Sequence, residues 1–118
     1  MSRELDVAIA EALGYEVLSV DVQDYCRQGV ECWIKLADGR SKTLPDYSSD
    51  GNAMLVLDEE TRELGWYLTL FRLSSGKWVA YYMKLSRIYR AEGCEAAEAV
   101  TLAAYKALTG KDWEEPCR

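Results

Sequence analysis

The side chains best suited to bind a charged ligand stand in a polar stretch that precedes a predicted helix. Ser48, Ser49 and Asn52 fall where the first backbone N–H groups of that helix lack partners, and such groups stabilise a bound phosphate. Tyr47 would offer its ring to a base, and Arg40, on the preceding predicted strand, a guanidinium to a phosphate. We therefore predict a nucleotide-type site formed by Arg40, Tyr47, Ser48, Ser49 and Asn52.

Two other interpretations of this stretch stay open at this point. The first is a plain helix cap, because Ser48, Ser49 and Asp50 are all common capping residues, and Asp46 and Asp50 add negative charge that opposes a phosphate. The second is calcium, since Asp46, Ser48 and Asp50 have the spacing that begins a calcium loop. Such a loop needs a bidentate acid at its twelfth position, which is Leu57 here. We expect no metal.

Composition narrows the classes of function. Histidine is absent from the 118 residues, which excludes serine–histidine and cysteine–histidine catalysis and histidine-ligated zinc. Lys and Arg number 14 against 20 Asp and Glu, a net charge of −6, which argues against direct binding of nucleic acid. The acids at residues 58–63 have the spacing of a solvated helix face. We predict no enzymatic activity and no cofactor.

The four cysteines, Cys26, Cys32, Cys94 and Cys117, match neither a zinc spacing nor a disulfide framework. We predict a fold that does not depend on disulfides, although a Cys26–Cys32 bridge across a hairpin stays open because sequence does not reveal its geometry. The N-terminus carries no signal-peptide pattern, and no apolar run approaches the roughly 20 residues that span a bilayer. These features predict a cytoplasmic protein without membrane contact.

Aromatic residues are concentrated in two predicted strands, at residues 66–73 and 77–84, joined by the turn formers Ser74, Ser75 and Gly76. Both faces of this hairpin carry aromatic side chains, so one set must pack under helices, and the other must be covered by a helix, a partner subunit or a ligand. We predict an interface, most simply a homo-oligomer, formed by Trp66, Tyr67, Trp78, Tyr81 and Tyr82. Simple core packing is the alternative.

The elements that must position these residues follow from hydrophobic periodicity and turn signals. Helices are predicted from Ser2 to Leu13, between Asp50 and Gly65, and from Glu95 to Leu108, with strands at 15–22, 31–36, 40–44, 66–73, 77–84 and 86–91. The predicted order is α-β-β-β-α-β-β-β-α. We predict an α+β fold, an antiparallel sheet of five to six strands with three helices, α/β/α sandwich-like, in one domain over 1–110 with a tail over 111–118.

Several motifs in this order are similar to the phage ABA sandwich family of small phage and prophage proteins. They are S-R-E-L-D-V-A-I-A-E-A-L-G-Y-E-V at residues 2–17, L-P-D-Y-S-S-D at 44–50, G-W at 65–66, G-K-W-V-A at 76–80 and T-L-A-A-Y-K-A-L-T-G at 101–110. The family often has P-H-Y-S-T-D where this chain has P-D-Y-S-S-D, so Asp46 replaces a histidine. The resemblance implies phage origin and a compact α/β fold, and it implies no general enzymatic activity.

Phage origin, acidity and aromatic surface together predict a non-enzymatic protein that counters host anti-phage defence in the bacterial cytoplasm. The leading hypothesis is sequestration of a nucleotide-derived immune signal. The alternative is direct docking on a host defence or CRISPR protein through an acidic and aromatic surface. A small hydrolase of a signalling nucleotide is the remote alternative. The anti-defence role rests on analogy with other phage proteins.

Overall fold

The structure is a computed structural model that describes residues 3–23, 28–36 and 38–114. Within these ranges the chain forms three helices and six strands. In chain order they are α1 (Arg3–Ala12), β1 (Glu16–Gln23), β2 (Gln28–Lys35), β3 (Ser41–Thr43), α2 (Gly51–Glu63), β4 (Tyr67–Arg72), β5 (Trp78–Lys84), β6 (Arg87–Gly93) and α3 (Ala96–Thr109). This order of elements agrees with the predicted one.

The six strands form two antiparallel meanders separated along the chain by α2. The first sheet has the order β1-β2-β3, with Glu16 opposite Lys35 and Trp33 opposite Thr43. The second sheet has the order β4-β5-β6, with Tyr67 opposite Met83. The predicted α+β class, with three helices and five to six antiparallel strands, is confirmed. The structure adds that the strands are divided between two sheets and do not form one.

Two of the hairpins turn where a glycine supplies a backbone conformation that other residues rarely adopt. Gly39 has φ +90° and Gly76 has φ +93°, in the left-handed region that glycine enters without a Cβ penalty. Leu36 donates its N–H to the Arg40 carbonyl at 2.7 Å, and Leu73 donates to Lys77 at 2.7 Å. The D-G and S-S-G signals in the sequence therefore end these strands at the expected places.

The core lies between the helices and the inner faces of both sheets. Helix α3 packs over β5 and β6 through a face of small residues, including the buried Ala99, Ala103 and Ala104. The close approach depends on Gly93, where a Cβ would stand 2.8 Å from the backbone nitrogen of Ala99. Helix α1 adds Leu5 and Ile9, the first sheet adds Ile34, α2 adds Leu57 and β5 adds Tyr82, all fully buried.

The described part of the C-terminal tail is attached to α3. The indole of Trp113 meets the ring of Tyr105 edge-on, with centroids 5.2 Å apart and planes at 80°. The division into a domain over 1–110 and a tail over 111–118 stays a prediction.

Candidate binding surfaces

The start of α2, predicted to bind a phosphate, is occupied by the protein's own carboxylates. Asp50 caps the helix, and its Oδ1 accepts the backbone N–H of Asn52 at 3.0 Å. Asp6, on α1, accepts the backbone N–H of Ser48 at 2.9 Å through its own Oδ1. These oxygens accept two of the N–H groups that the predicted phosphate site would use, and their negative charge opposes an anion.

Tyr47 and Ser48 are buried, whereas Ser49 and Asn52 are exposed. The Tyr47 carbonyl lies 2.8 Å from the hydroxyl of Thr101 on α3, and burial raises the pKa of the Tyr47 phenol. A ring enclosed in this way has no face to offer a nucleobase. Tyr47 therefore connects the loop to the core.

Arg40 contacts Asp38 within its own hairpin. Its Nε donates to Asp38 Oδ2 at 2.7 Å, while 79% of the side chain is exposed. Its backbone N–H donates to Asp38 Oδ1 at 3.0 Å, and these two hydrogen bonds lower the pKa of that carboxyl. Of the five predicted ligand-binding residues, the structure places Tyr47 and Ser48 inside the fold and leaves Arg40, Ser49 and Asn52 at the surface.

Arg3 is a positioning residue that the sequence interpretation did not include. Its guanidinium donates to the Leu44 carbonyl at 2.5 Å, the Pro45 carbonyl at 3.1 Å and the carboxylates of Asp6 and Asp46. Arg3 and Asp6 thus hold the loop before α2 against α1. Burial raises the pKa of Asp6, although its hydrogen bonds with Ser48 and Arg3 each lower that pKa. The sequence does carry a signal for Asp6, because this acidic residue falls between Leu5 and Ile9 on the apolar side of α1.

A groove of about 520 Å³ lies between the end of α1, the first sheet and α2. The Tyr15 hydroxyl donates to Glu60 Oε2 at 2.7 Å there, and this hydrogen bond is the main reason that the pKa of Tyr15 rises to about 12. The sequence pattern assigned Glu60 to a solvated helix face, whereas the structure makes it the acceptor for a tyrosine on another element. Leu13, Gly14, Glu16, Lys35, Leu36, Glu63 and Leu64 complete the lining.

The second sheet has an outer face that is largely exposed, although Val79 on it is fully buried. We call the outer face the set of side chains that alternate away from the helices: Tyr67, Thr69 and Phe71 on β4, Val79, Tyr81 and Met83 on β5, and Ile88, Arg90 and Glu92 on β6. Tyr67, Met83 and Ile88 form one cross-strand row. Tyr67 is 69% exposed, Ile88 58% and Met83 41%, so this row is a continuous apolar strip.

The tip of the β5–β6 hairpin extends the apolar strip. Leu85 is 96% exposed and has φ +56°. A left-handed backbone costs a residue with a Cβ roughly 1–2 kcal/mol, and a fully exposed leucine recovers nothing from burial. A strained backbone held in this way commonly marks a functional contact.

Aromatic stacking and an ion pair order the middle of the outer face. The rings of Phe71 and Tyr81 stack with centroids 5.8 Å apart at 21°. The Arg90 guanidinium lies 5.9 Å from the Tyr81 centroid and donates to Glu92 at 2.5 Å. These contacts are typical of the aromatic and arginine composition of protein interfaces.

The predicted interface residues divide between the two faces of the second sheet. Tyr67 and Tyr81 lie on the outer face. Trp66 and Tyr82 are buried, and Trp78 is half-buried, all three packed toward the helices. The Trp66 ring meets Tyr89 edge-on at 5.7 Å. The sequence interpretation did not include Phe71, Met83, Leu85 and Ile88, although alternation with Tyr67 and Tyr81 was a usable signal for the first two.

No three Asp, Glu or Cys side chains of the described residues are grouped so that they could hold a metal ion. Cys32 and Cys94 are free thiols, whereas Cys26 and Cys117 lie outside the described residues. None of the described helices is long and apolar enough to cross a membrane.

Comparison with known proteins shows the fold. No protein-family model matches the chain, and no curated protein matches it significantly. Among solved structures the chain is similar to a phage protein from Bacillus cereus ATCC 14579, with a TM-score of 0.69 and 16% sequence identity over 97% of this chain and 93% of that chain. The chain therefore has the fold of a phage protein.

Proposed function

We propose that this chain is a non-enzymatic binding protein of phage origin that counters host defence by docking directly on a host defence protein. The observation that carries the proposal is the uncovered strip of Tyr67, Met83 and Ile88, continued by Leu85. Contiguous exposed apolar surface on a small protein usually marks an interaction site. Tyrosine, phenylalanine, methionine and arginine are the residue types enriched in such sites.

The fold shared with a phage protein supports a phage origin, and the motifs similar to the phage ABA sandwich family support that finer assignment. A cytoplasmic location and homo-oligomerisation stay predictions.

Sequestration of a nucleotide-derived signal is the second candidate, and the groove beside Tyr15 is the observation that favours it. Its volume of about 520 Å³ lies in the range of small-molecule sites, and Lys35 supplies one positive charge. Glu16, Glu60 and Glu63 line the same groove and oppose a phosphate. Docking on a protein is therefore the stronger proposal.

The decisive experiment compares, during infection, two double variants that each replace two exposed apolar side chains with serine. Tyr67→Ser with Ile88→Ser removes the apolar strip, whereas Leu55→Ser with Val56→Ser removes two exposed apolar side chains of α2 that line neither the strip nor the groove. Phages carrying each form are plated on hosts that each bear one defence system. We expect the wild type and the α2 variant to restore plating on a shared host, and the strip variant to fail there.

Equal plating by both variants, or no rescue by the wild type on any host, would contradict the proposal. The host protein identified on the permissive strain should then bind the purified wild type and α2 variant and not the strip variant. Mass spectrometry of small molecules released from each purified form distinguishes the second candidate. A nucleotide retained by the strip variant and lost after Lys35→Ala would support sequestration in its place.

A further inference from the structure

We infer that a second copy of this chain pairs with β4, so that two copies of the three-stranded second sheet join into one antiparallel sheet. The order of the second sheet is β4-β5-β6, which leaves one side of β4 without a neighbour among the described strands. Such an edge presents a row of unpaired N–H and C=O groups that another strand can use. The inference goes beyond the proposed function and does not depend on it, because pairing at an edge leaves the outer face open.

Both sheets of the described chain have two edges, and β4 is the edge that lacks the usual protection against pairing. Proteins protect sheet edges with short strands, charged side chains, proline or bulges. Strand β3 has only three residues, β6 carries Arg87, Arg90 and Glu92, and β1 carries Glu16 and Asp21. Strand β4 is six residues long, and its sequence Y-L-T-L-F-R has no proline and no charge before its last residue.

The backbone groups that face the open side of β4 belong to Leu68, Leu70 and Arg72. At the turn, Leu73 donates its N–H to the Lys77 carbonyl at 2.7 Å, so these two residues form a hydrogen-bonded pair. Hydrogen-bonded and non-bonded pairs alternate along an antiparallel ladder. By that alternation, the odd-numbered residues of β4 bond to β5, and the even-numbered residues offer their groups to a further strand.

A two-fold axis at Thr69 gives β4 a register in which it is complementary to itself. Two copies of an edge strand related by an axis normal to the sheet run antiparallel, and residues opposite each other share a face. Thr69 then lies opposite its own copy. Tyr67 of each chain lies opposite Phe71 of the other, and Leu68 lies likewise opposite Leu70. Threonine pairs and aromatic pairs are among the cross-strand pairs that stabilise a sheet.

The same register satisfies the open backbone groups and covers apolar side chains on both faces of the edge. Leu68 and Leu70 form hydrogen-bonded pairs in it, and each such pair exchanges both of its N–H···O bonds. Their side chains are half-buried against the core, whereas Tyr67 and Phe71 are exposed. Pairing therefore removes apolar surface from water on either side. A shift by two residues would instead set the charged Arg72 beside Leu68.

Joining the sheets also enlarges the surface that the proposed function needs. Three strands about 4.8 Å apart and about 20 Å long offer on the order of 300 Å², whereas each partner in a standard complex buries about 800 Å². The joined sheets place two outer faces side by side, with Tyr67 and Phe71 at their junction. A protein that docks there meets twice the area of one sheet.

The test measures self-association of the full chain by sedimentation equilibrium at tens of micromolar. We expect the wild type to form a dimer. Thr69→Lys sets two like charges opposite each other and should weaken the dimer about tenfold or more, and Thr69→Glu should do the same. An equimolar mixture of the two variants should regain association, because each lysine then lies opposite a glutamate. This recovery requires that position 69 pairs with its own copy.

Thr43→Lys and Thr43→Glu are the matched controls, because Thr43 is an exposed threonine on the edge strand β3 of the first sheet. Both control variants should associate as the wild type does, and circular dichroism checks that all four variants fold. A monomeric wild type, equal weakening by the variants at positions 43 and 69, or a mixture that stays monomeric would each overturn the inference. A monomeric wild type that still binds its host protein would leave the proposed function standing.

Amide hydrogen exchange tests the same pairing in the wild type, without any substitution. The N–H groups of Leu68 and Leu70 should exchange more slowly as the protein concentration rises, because they become bonded to the second copy. The N–H group of Thr69, which faces β5, should exchange at an unchanged rate. Exchange at Leu68 and Leu70 that does not depend on concentration would contradict the pairing, whatever the oligomeric state.

Discussion

The carboxylate of Asp6 on α1 accepts the backbone N–H of Ser48, a residue 42 positions further along the chain, at 2.9 Å. This bond, together with the Arg3 contacts beside it, joins α1 to the loop that begins α2. It also places a carboxylate where an incoming phosphate would need the same N–H. One structural contact therefore both stabilises the fold and takes one of the N–H groups of the expected anion site.

Replacing Asp6 with alanine should lower the free energy of unfolding by about 1–3 kcal/mol, because the buried Ser48 N–H loses its acceptor. Asp6→Asn should cost less, since an amide oxygen still accepts that N–H and no charge is buried. Urea denaturation followed by tryptophan fluorescence measures both. Equal stability of Asp6→Ala and the wild type would show that the contact contributes nothing.

Gly93→Ala should be destabilising by about 1–3 kcal/mol, because the added Cβ would lie 2.8 Å from the Ala99 nitrogen and force α3 away from β6. Gly51→Ala is the matched control, since a Cβ there meets nothing within 4 Å and its φ is not in the left-handed region. Thermal unfolding of the two variants should differ by several degrees. Similar melting temperatures would contradict the close approach.

Leu85→Asn should stabilise the chain by about 1 kcal/mol, because asparagine tolerates the left-handed backbone at φ +56° better than leucine does. The same variant should bind the host partner more weakly, since it removes an apolar side chain that is 96% exposed. Chemical denaturation and binding are measured on the same preparation. If stability and affinity both stay unchanged, Leu85 is neither strained nor a contact.

Tyr15 should titrate with a pKa of about 12, against an ordinary value of about 10, because its hydroxyl donates a hydrogen bond to the Glu60 carboxylate. The folded state therefore favours the protonated phenol. The resulting stabilisation is complete below pH 10 and is lost as the pH rises from about 10 through about 12. Carbon NMR of labelled tyrosine, assigned with Tyr15→Phe, measures the titration.

Glu60→Gln removes the charge that holds this proton, so the pKa of Tyr15 should fall toward 10. Glu59→Gln removes the same charge from an exposed neighbouring position and should leave the titration nearly unchanged. If the two variants titrate alike, the hydrogen bond at 2.7 Å is not the cause of the shift.

Much of the local structure was accessible from the sequence. The signals that worked involve only a few consecutive residues, whose backbone obeys the same local constraints in any context. They are the D-G and S-S-G turns, the alternation in β4 and β5, and Gly110 after α3. The helix cap that we weighed against a phosphate site was also accessible from the sequence, because Asp50 does cap α2.

Tertiary structure decided which of the candidate residues are exposed at the surface and so free to bind a partner. Alternation separates Trp66 from Tyr67 and Tyr81 from Tyr82, but it does not say which face receives α3. Packing buried Trp66 and Tyr82 and left Tyr67 exposed, because the small side chains of α3 fit closely over one face only. Likewise Ser48 meets Asp6 and Glu60 meets Tyr15 across distances that no local pattern encodes. The sequence by itself determined the order, type and turns of the elements, whereas contacts between distant elements determined which surfaces remain free to bind.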